Sequence, residues 1–176
     1  ACEVLESIDA LKGNGPDDLM KIVFHLAKQA IDIFDKNFSR EKFDKLINSG
    51  YAYEKFEKMV YSHGGCLKKF NGMDYSNPKF KYVIKSNFSG YIKSFKTREI
   101  GESLSMIGGG RLNNLDGIDN YSGVTTYKKI SDYISDGEPL LEFYCSSEKK
   151  INNLMKHSDN LFDISKNKCE KPSLVY

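Results

Sequence analysis

The sequence predicts an α+β fold: four helices first, then a strand-rich unit carrying two further helices. Two observations lead there. Through the first seventy residues apolar side chains recur at helical spacing. Past Asn77-Pro78 the chain turns to short runs rich in aromatic and β-branched residues, such as KFKYVIKS and GYIKSFK. The division between the two textures is placed at residue 72, giving units of 1–72 and 73–176.

The first helix is CEVLESIDALKG, with Val4, Leu5, Ile8 and Leu11 on one side and Gly13 as its stop. The second, GPDDLMKIVFHLAKQAIDIF, opens with Pro16 and places Asp17 and Asp18 in its first turn, where negative charge suits the helix dipole. Leu19, Val23, Leu26, Ala27, Ala30 and Phe34 make one stripe, and Met20, Phe24 and Ile31 widen it. So wide a stripe predicts burial around most of the circumference. Ser39 is the expected cap of a third helix carrying Phe43, Leu46 and Ile47. A fourth, AYEKFEKMVYSHGG, ends at Gly64-Gly65.

In the second unit the two aromatic runs are read as a hairpin turning at Asn87 to Gly90. Thr97 is the expected cap of a helix REIGESLSMI. Strands follow around GVTTYKKI and PLLEFYCS, with a turn at SDGE between them. A last helix runs from about Glu148 to His157, and the polar tail from Ser158 is expected to dock or fray.

The totals bound the function. A chain of 176 residues can bury about 70% of its unfolded surface, so it can fold without disulfides or metals. With 26 basic and 24 acidic residues the net charge is +2, and only Arg40, Arg98 and Arg111 are arginines. That is a poor supply for bidentate reading of phosphates or bases, so nucleic acid is not expected as a partner. The longest apolar stretch, IVFHLAKQAIDIF, is too short and too charged to span a membrane. Cys2, Cys66, Cys145 and Cys169 are far apart and form no C-x-x-C pair. They fit free thiols in a reducing cytoplasm better than a zinc ribbon or a secreted disulfide framework. The chain opens at Ala1 in helical sequence without a methionine, and is read as a portion of something longer.

The most suggestive stretch for chemistry is SLSMIGGGRLNN, where Gly108 to Gly110 precede Arg111. A phosphate cradle follows a strand and opens a helix, so that the helix N-terminus faces the anion. Here the order is reversed, and glycine after a helix is the usual terminator. His25 sits among the apolar residues of the second helix, and His63 and His157 sit near helix ends. None has an acidic partner at a diagnostic spacing, and no catalytic or metal-binding motif is present.

Four segments together carry a family resemblance: EVLESIDALKGNGPDDLMKIVFHLA, INSGYAYEKFEKMVYSHGG, SGYIKSFKTREIGESLSMIGGGR and IDNYSGVTTYKKISDYISDGEPLLEFYCSSEKKI. In order and spacing they resemble the C-terminal portion of pyrimidine-nucleoside and thymidine phosphorylases, down to the closing KPSLVY. The resemblance implies that the four helices complete the family's large α/β domain and that 73–176 form its C-terminal unit, strand-rich and barrel-sandwich-like. It implies an enzyme that cleaves thymidine, uridine or deoxyuridine with inorganic phosphate, giving free base and a pentose 1-phosphate.

The family's phosphate-binding Lys and Ser, and the Arg and Lys that hold the pyrimidine, belong to its N-terminal half. No catalytic, phosphate-binding or base-binding residue therefore carries over, and this chain alone is expected to be inactive. One functional residue does carry over. The family's ALEVxE segment corresponds to Ala1-Cys2-Glu3-Val4-Leu5-Glu6, with Cys2 in place of the usual leucine. Its second glutamate helps hold a structural monovalent or divalent cation beside the phosphate loop, so Glu6 is the candidate metal ligand. No other cofactor is expected. The implied partners are the N-terminal half of the same enzyme, the nucleoside and phosphate, and a second copy in a cytoplasmic homodimer. An alternative reading starts from SDYISDGEPL, which resembles a turn shared with biotinyl and lipoyl carriers. Lys96 and Lys128 lie near strands, but neither stands in a carrier's M-K-M or D-K context.

Overall fold

A computed structural model describes residues 1–71, 75, 77–111, 113, 116–156 and 160–175. They form two compact units, one of Glu3–Asp74 with Ser173–Tyr176, the other of Ala1–Cys2 with Tyr75–Pro172.

The first unit is helical. Helix α1 (Cys2–Leu11) ends at Gly13, whose φ of +89° is the left-handed conformation that stops a helix. Helix α2 (Asp17–Ile31) starts directly after Pro16, with Asp17 and Asp18 in its first turn. Helix α3 (Arg40–Asn48) is capped as expected: the Ser39 hydroxyl accepts a hydrogen bond from the Lys42 N–H. Helix α4 (Tyr51–Ser62) is closed by His63, and a further short helix, α5 (Leu67–Asn71), follows Gly64-Gly65 where none was predicted.

Phe38, Phe43 and Ile47 are the buried centre of this unit, with Met20, Phe24, Ala27 and Ile31 of α2 packed against them. The Phe24 ring meets Phe43 edge-on at 5.5 Å between centroids, a favoured aromatic geometry. The expectation that α2 is buried on most of its circumference is not met. No residue of α2 is fully buried, because among the described residues the core cluster covers only its Met20, Phe24, Ala27 and Ile31 side.

The second unit holds β1 (Phe80–Lys85), β2 (Gly90–Phe95), α6 (Thr97–Met106), β3 (Gly123–Thr126), β4 (Tyr133–Ile134), β5 (Pro139–Cys145), α7 (Glu148–Leu154) and β6 (Phe162–Ser165). The strands make two antiparallel sheets in the orders β1-β5-β3 and β4-β2-β6. The predicted β1–β2 hairpin is therefore overturned: the two neighbours in sequence belong to different sheets. At the crossing the Ser86 N–H donates to the Glu138 carbonyl and the Gly137 N–H donates back to Ser86. These bonds send the chain alongside the 135–138 turn instead of folding it onto β1. The tail contributes β6, paired with β2, where the sequence predicted only docking or fraying. Thr97 is the first residue of α6 and not its cap, a position taken by Lys96.

β5 lies between β1 and β3, and its side chains alternate as a central strand requires. Leu141, Phe143 and Cys145 point into the core with no exposure, while Glu142 and Tyr144 line the other face half-buried. The register skips at Leu140, where Ile84 faces Leu141 and Lys85 faces Pro139, so Leu140 forms a bulge. One core unites both sheets and α7, through Ile92, Ile134, Phe143, Ile151, Leu154 and Leu161.

Candidate functional site

The three glycines complete α6. The Gly108 N–H donates to the Ser105 carbonyl at 3.0 Å and the Gly109 N–H donates to the Leu104 carbonyl at 2.9 Å. This is the paired closure of a Schellman motif, with Gly108 at φ +104° as its left-handed residue. Two of the amides that a cradle would present to an anion are thus committed to helix carbonyls. Gly109 is needed for space, since a Cβ there would lie 2.5 Å from Leu104 Cδ1 and 2.6 Å from its Cγ, whereas one on Gly110 would meet only the rotatable Ser105 Oγ closely, at 2.6 Å. Arg111 is exposed beyond them.

The segment after the glycines is held by Asp119, whose role the sequence did not announce beyond its place in the IDNYSGV motif. Its N–H donates to the Gly108 carbonyl at 2.9 Å. Its carboxylate accepts from the Tyr121 N–H at 3.0 Å and from both the Ser146 N–H and hydroxyl at 2.8 Å. Burial pushes this carboxyl up, but the Ser146 and Tyr121 donors outweigh it and hold the group below the usual carboxylate range. Ser122, buried, donates its hydroxyl to the Ile107 carbonyl at 2.8 Å, at the C-cap of α6. The cluster thus joins the end of α6, the start of β3 and the end of β5. It is a structural clasp, with its donors and acceptors turned on one another.

Gly108→Ala is expected to destabilise the protein by about 1 kcal/mol or more. Its added methyl would take a strained φ and fall 2.8 Å from Lys150 Nζ and 3.0 Å from Asp119 Cβ. Thermal denaturation checks this, and an unchanged melting temperature would show that the left-handed turn is not needed.

The remaining candidates fall into place individually. Glu6 lies exposed on α1, and among the described residues no group of three or more His, Cys, Asp or Glu is arranged to hold a metal. His25 is half-buried, with its Nε2 2.9 Å from Gln29 Nε2. His63 closes α4, with its Nδ1 2.8 Å from the Met59 carbonyl. His157 lies outside the described residues. Neither carrier-candidate lysine stands at a hairpin tip: Lys96 is the N-cap residue of α6, and Lys128 is ion-paired with Glu138 at 2.7 Å. Cys145 is buried, which pushes its thiol up and keeps it protonated.

An open groove of about 810 Å³ runs between the end of α6 and α7, rimmed by Met106, Ser147, Lys149, Lys150 and Lys156. Glu148 on the same rim offsets the lysines. Among the described residues no helix is long and apolar enough to cross a membrane.

Comparison with known proteins bears on the whole chain. Residues 91–165 match the family described as pyrimidine nucleoside phosphorylase C-terminal domain. Over 182 aligned residues the chain is 33% identical to the pyrimidine-nucleoside phosphorylase of Staphylococcus aureus strain USA300 and to that of strain N315. Identity to the protein of the same name from strain bovine RF122 / ET3-1 is 32%. Each alignment takes in 100% of this chain and 41% of the relative, so the chain spans about two-fifths of the length of the curated relatives it matches.

Proposed function

Starting from a chain that matches the C-terminal portion of pyrimidine-nucleoside phosphorylases along its whole length, we propose that it forms the corresponding part of such an enzyme. The match along the whole length of this chain is the observation that carries the reading. The reaction is transfer of a pentosyl group from a pyrimidine nucleoside to inorganic phosphate. A phosphate oxygen forms a bond to C1′ as the N-glycosidic bond breaks, the bonding pair leaves with the base, and the base takes up a proton. Positioning and electrostatic stabilisation by donors in the rest of the enzyme supply the catalysis.

This chain's contribution is a rigid wall of the cleft. Its C-terminal unit, with a single core joining two sheets and α7, suits a body that moves as a whole. The domain assignment follows the same reading: residues 1–72 complete the large α/β domain and 73–176 are the C-terminal unit. The intact enzyme is proposed to be a homodimer, and four free cysteines suit a reducing cytoplasm.

The test is a comparison of turnover. Incubated with thymidine or uridine and phosphate, the 176-residue chain is expected to release no free base measurable by ultraviolet absorbance. A single-chain fusion to the portion of the Staphylococcus aureus relative that it does not match is expected to be active. Losing even one preorganised donor costs about 10²–10³ in rate, and here the whole phosphate set is elsewhere. Turnover by the chain alone within a hundredfold of a full-length relative would overturn the reading, as would an inactive, folded fusion.

Glu6 is proposed as one ligand of a structural cation in the intact enzyme, on its match to the family segment and its exposed place on α1. The described residues supply this one carboxylate, and the other ligands would come from elsewhere. In the active fusion, Glu6→Gln is expected to raise the KM for phosphate and to remove stabilisation by potassium or calcium. A thermal response to these ions equal to the parent's would count against the assignment.

A further inference from the structure

The turn between α1 and α2 carries the pair Asn14-Gly15. Asn14 is exposed, and its main chain is held in place: its N–H donates to the Asp9 carbonyl at 2.9 Å. Among the described residues nothing is hydrogen-bonded to its carboxamide, or to the N–H of Gly15. Helix α1 has ended at Leu11 and α2 begins at Asp17, so neither helix takes up that N–H. Gly15 is a glycine for reasons of space. A Cβ there would lie 2.8 Å from Met20 Sδ and 2.9 Å from Ala10 Cβ, so the turn passes close over the end of α1 and the start of α2. The missing side chain also leaves the Gly15 nitrogen unshielded from the carboxamide one residue before it.

We propose that Asn14 is a site of spontaneous covalent modification: the Gly15 nitrogen closes a succinimide on the Asn14 side chain, and water opens it to aspartate or isoaspartate. The atoms balance with water as the only co-reactant, and nothing is oxidised or reduced. The Gly15 nitrogen forms a bond to Asn14 Cγ as the Cγ–Nδ2 bond breaks. The side-chain nitrogen leaves as ammonia, with the proton that Gly15 gives up. Water then adds to one of the two imide carbonyls. Opening at Cγ restores the peptide bond and leaves an aspartate side chain. Opening at the main-chain carbonyl leaves an isoaspartate, whose main chain runs through Cβ and Cγ and is one atom longer. That extra atom enters the turn where Gly15 has no room to shift, between Ala10 and Met20. Ala10 is buried and Met20 packs against the core of the helical unit, so isoaspartate loosens the contact of α1 with α2.

The experiment incubates the 176-residue chain in warm, neutral buffer made with heavy-oxygen water. The chain is then cleaved at its lysines in ordinary water and read by mass spectrometry. This separates the peptide Gly13–Lys21 from the one holding the sequence's other Asn-Gly pair, Asn71-Gly72. The Gly13–Lys21 peptide is expected to lose ammonia and gain one heavy oxygen, in both isomeric forms. Its rate is expected to be within fivefold of that of a synthetic peptide of the same residues. Asn14→Gln, whose longer side chain would have to close a six-membered ring, is expected to slow the reaction at least tenfold. Because Asn14 is exposed, this variant should melt with the fresh parent chain, which separates blocked chemistry from altered folding. The aged parent is expected to melt at a lower temperature as its isoaspartate content grows, and aged Asn14→Gln to hold its melting temperature. A parent rate more than fivefold below that of the free peptide would show that the fold protects Asn14, and would overturn the proposal. So would labelling of Asn14→Gln in this peptide at the parent's rate. An aged parent rich in isoaspartate that melts with the fresh chain would overturn the loosening of α1 from α2.

Discussion

Phe143→Ala is expected to cost the C-terminal unit about 3–5 kcal/mol, the range for removing a large aromatic side chain from a close-packed core. Phe143 has no exposure and sits on the central strand, facing Tyr82 on β1 and Val124 on β3. Truncation removes ring contacts to both flanking strands and leaves a cavity that three paired strands cannot collapse around. Against a typical total of about 5–15 kcal/mol, the loss is a large fraction of the stability. In urea it should appear as a lower midpoint with an unchanged slope. Glu142→Gln, one residue along on the half-buried face, should cost far less, since it weakens an ion pair to Lys81 of 2.9 Å and a bond from the Tyr127 hydroxyl of 2.7 Å. A loss below about 1 kcal/mol for Phe143→Ala would mean that the core is not organised around β5.

Asp119→Ala is expected to cost about 2 kcal/mol, because it strips the acceptor from the Tyr121 N–H and from both donors of Ser146. The effect depends on pH with a definite sign. The folded protein holds this carboxyl below its ordinary value of 3.8. Its contribution is therefore fully present above that value and is lost as pH falls through the lower, folded value. Melting temperatures of parent and variant should differ by a constant amount from neutral pH down to about 5 and converge on further acidification. Asp132, Glu138 and Glu142 are also held low, by hydrogen bonds and neighbouring lysines, and both proteins share their acid losses. A gap that persists undiminished at about pH 2 would show that Asp119 acts by packing rather than as a carboxylate.

The helices were legible because their signals are local. A helix closes on itself by bonds between residues four apart, so Gly13, Pro16 and Ser39 could be read as stops and starts from their own neighbourhoods. The end of α6 at Gly108 was legible for the same reason, and that reading removed the one apparent phosphate site. The four quoted segments were enough to identify the family resemblance, which then carried the functional reading. The clasp around Asp119 was not legible, since its partner Ser146 is distant in the chain and carries no motif.

By itself, then, the sequence determined the α+β class, the helix boundaries near their glycine, proline and serine signals, and the likeness to the pyrimidine-nucleoside phosphorylase C-terminal portion. Tertiary structure alone decided which strands pair. β1 joins β5 rather than β2, and β2 takes β6 from a tail whose composition looked like loop. A strand's hydrogen bonds are satisfied by whichever edge the rest of the chain brings to it, so its own residues specify its faces and not its partners. Tertiary structure likewise decided the state of α2. Its wide apolar arc was written in the residues, but whether an arc is covered depends on what else is present to cover it.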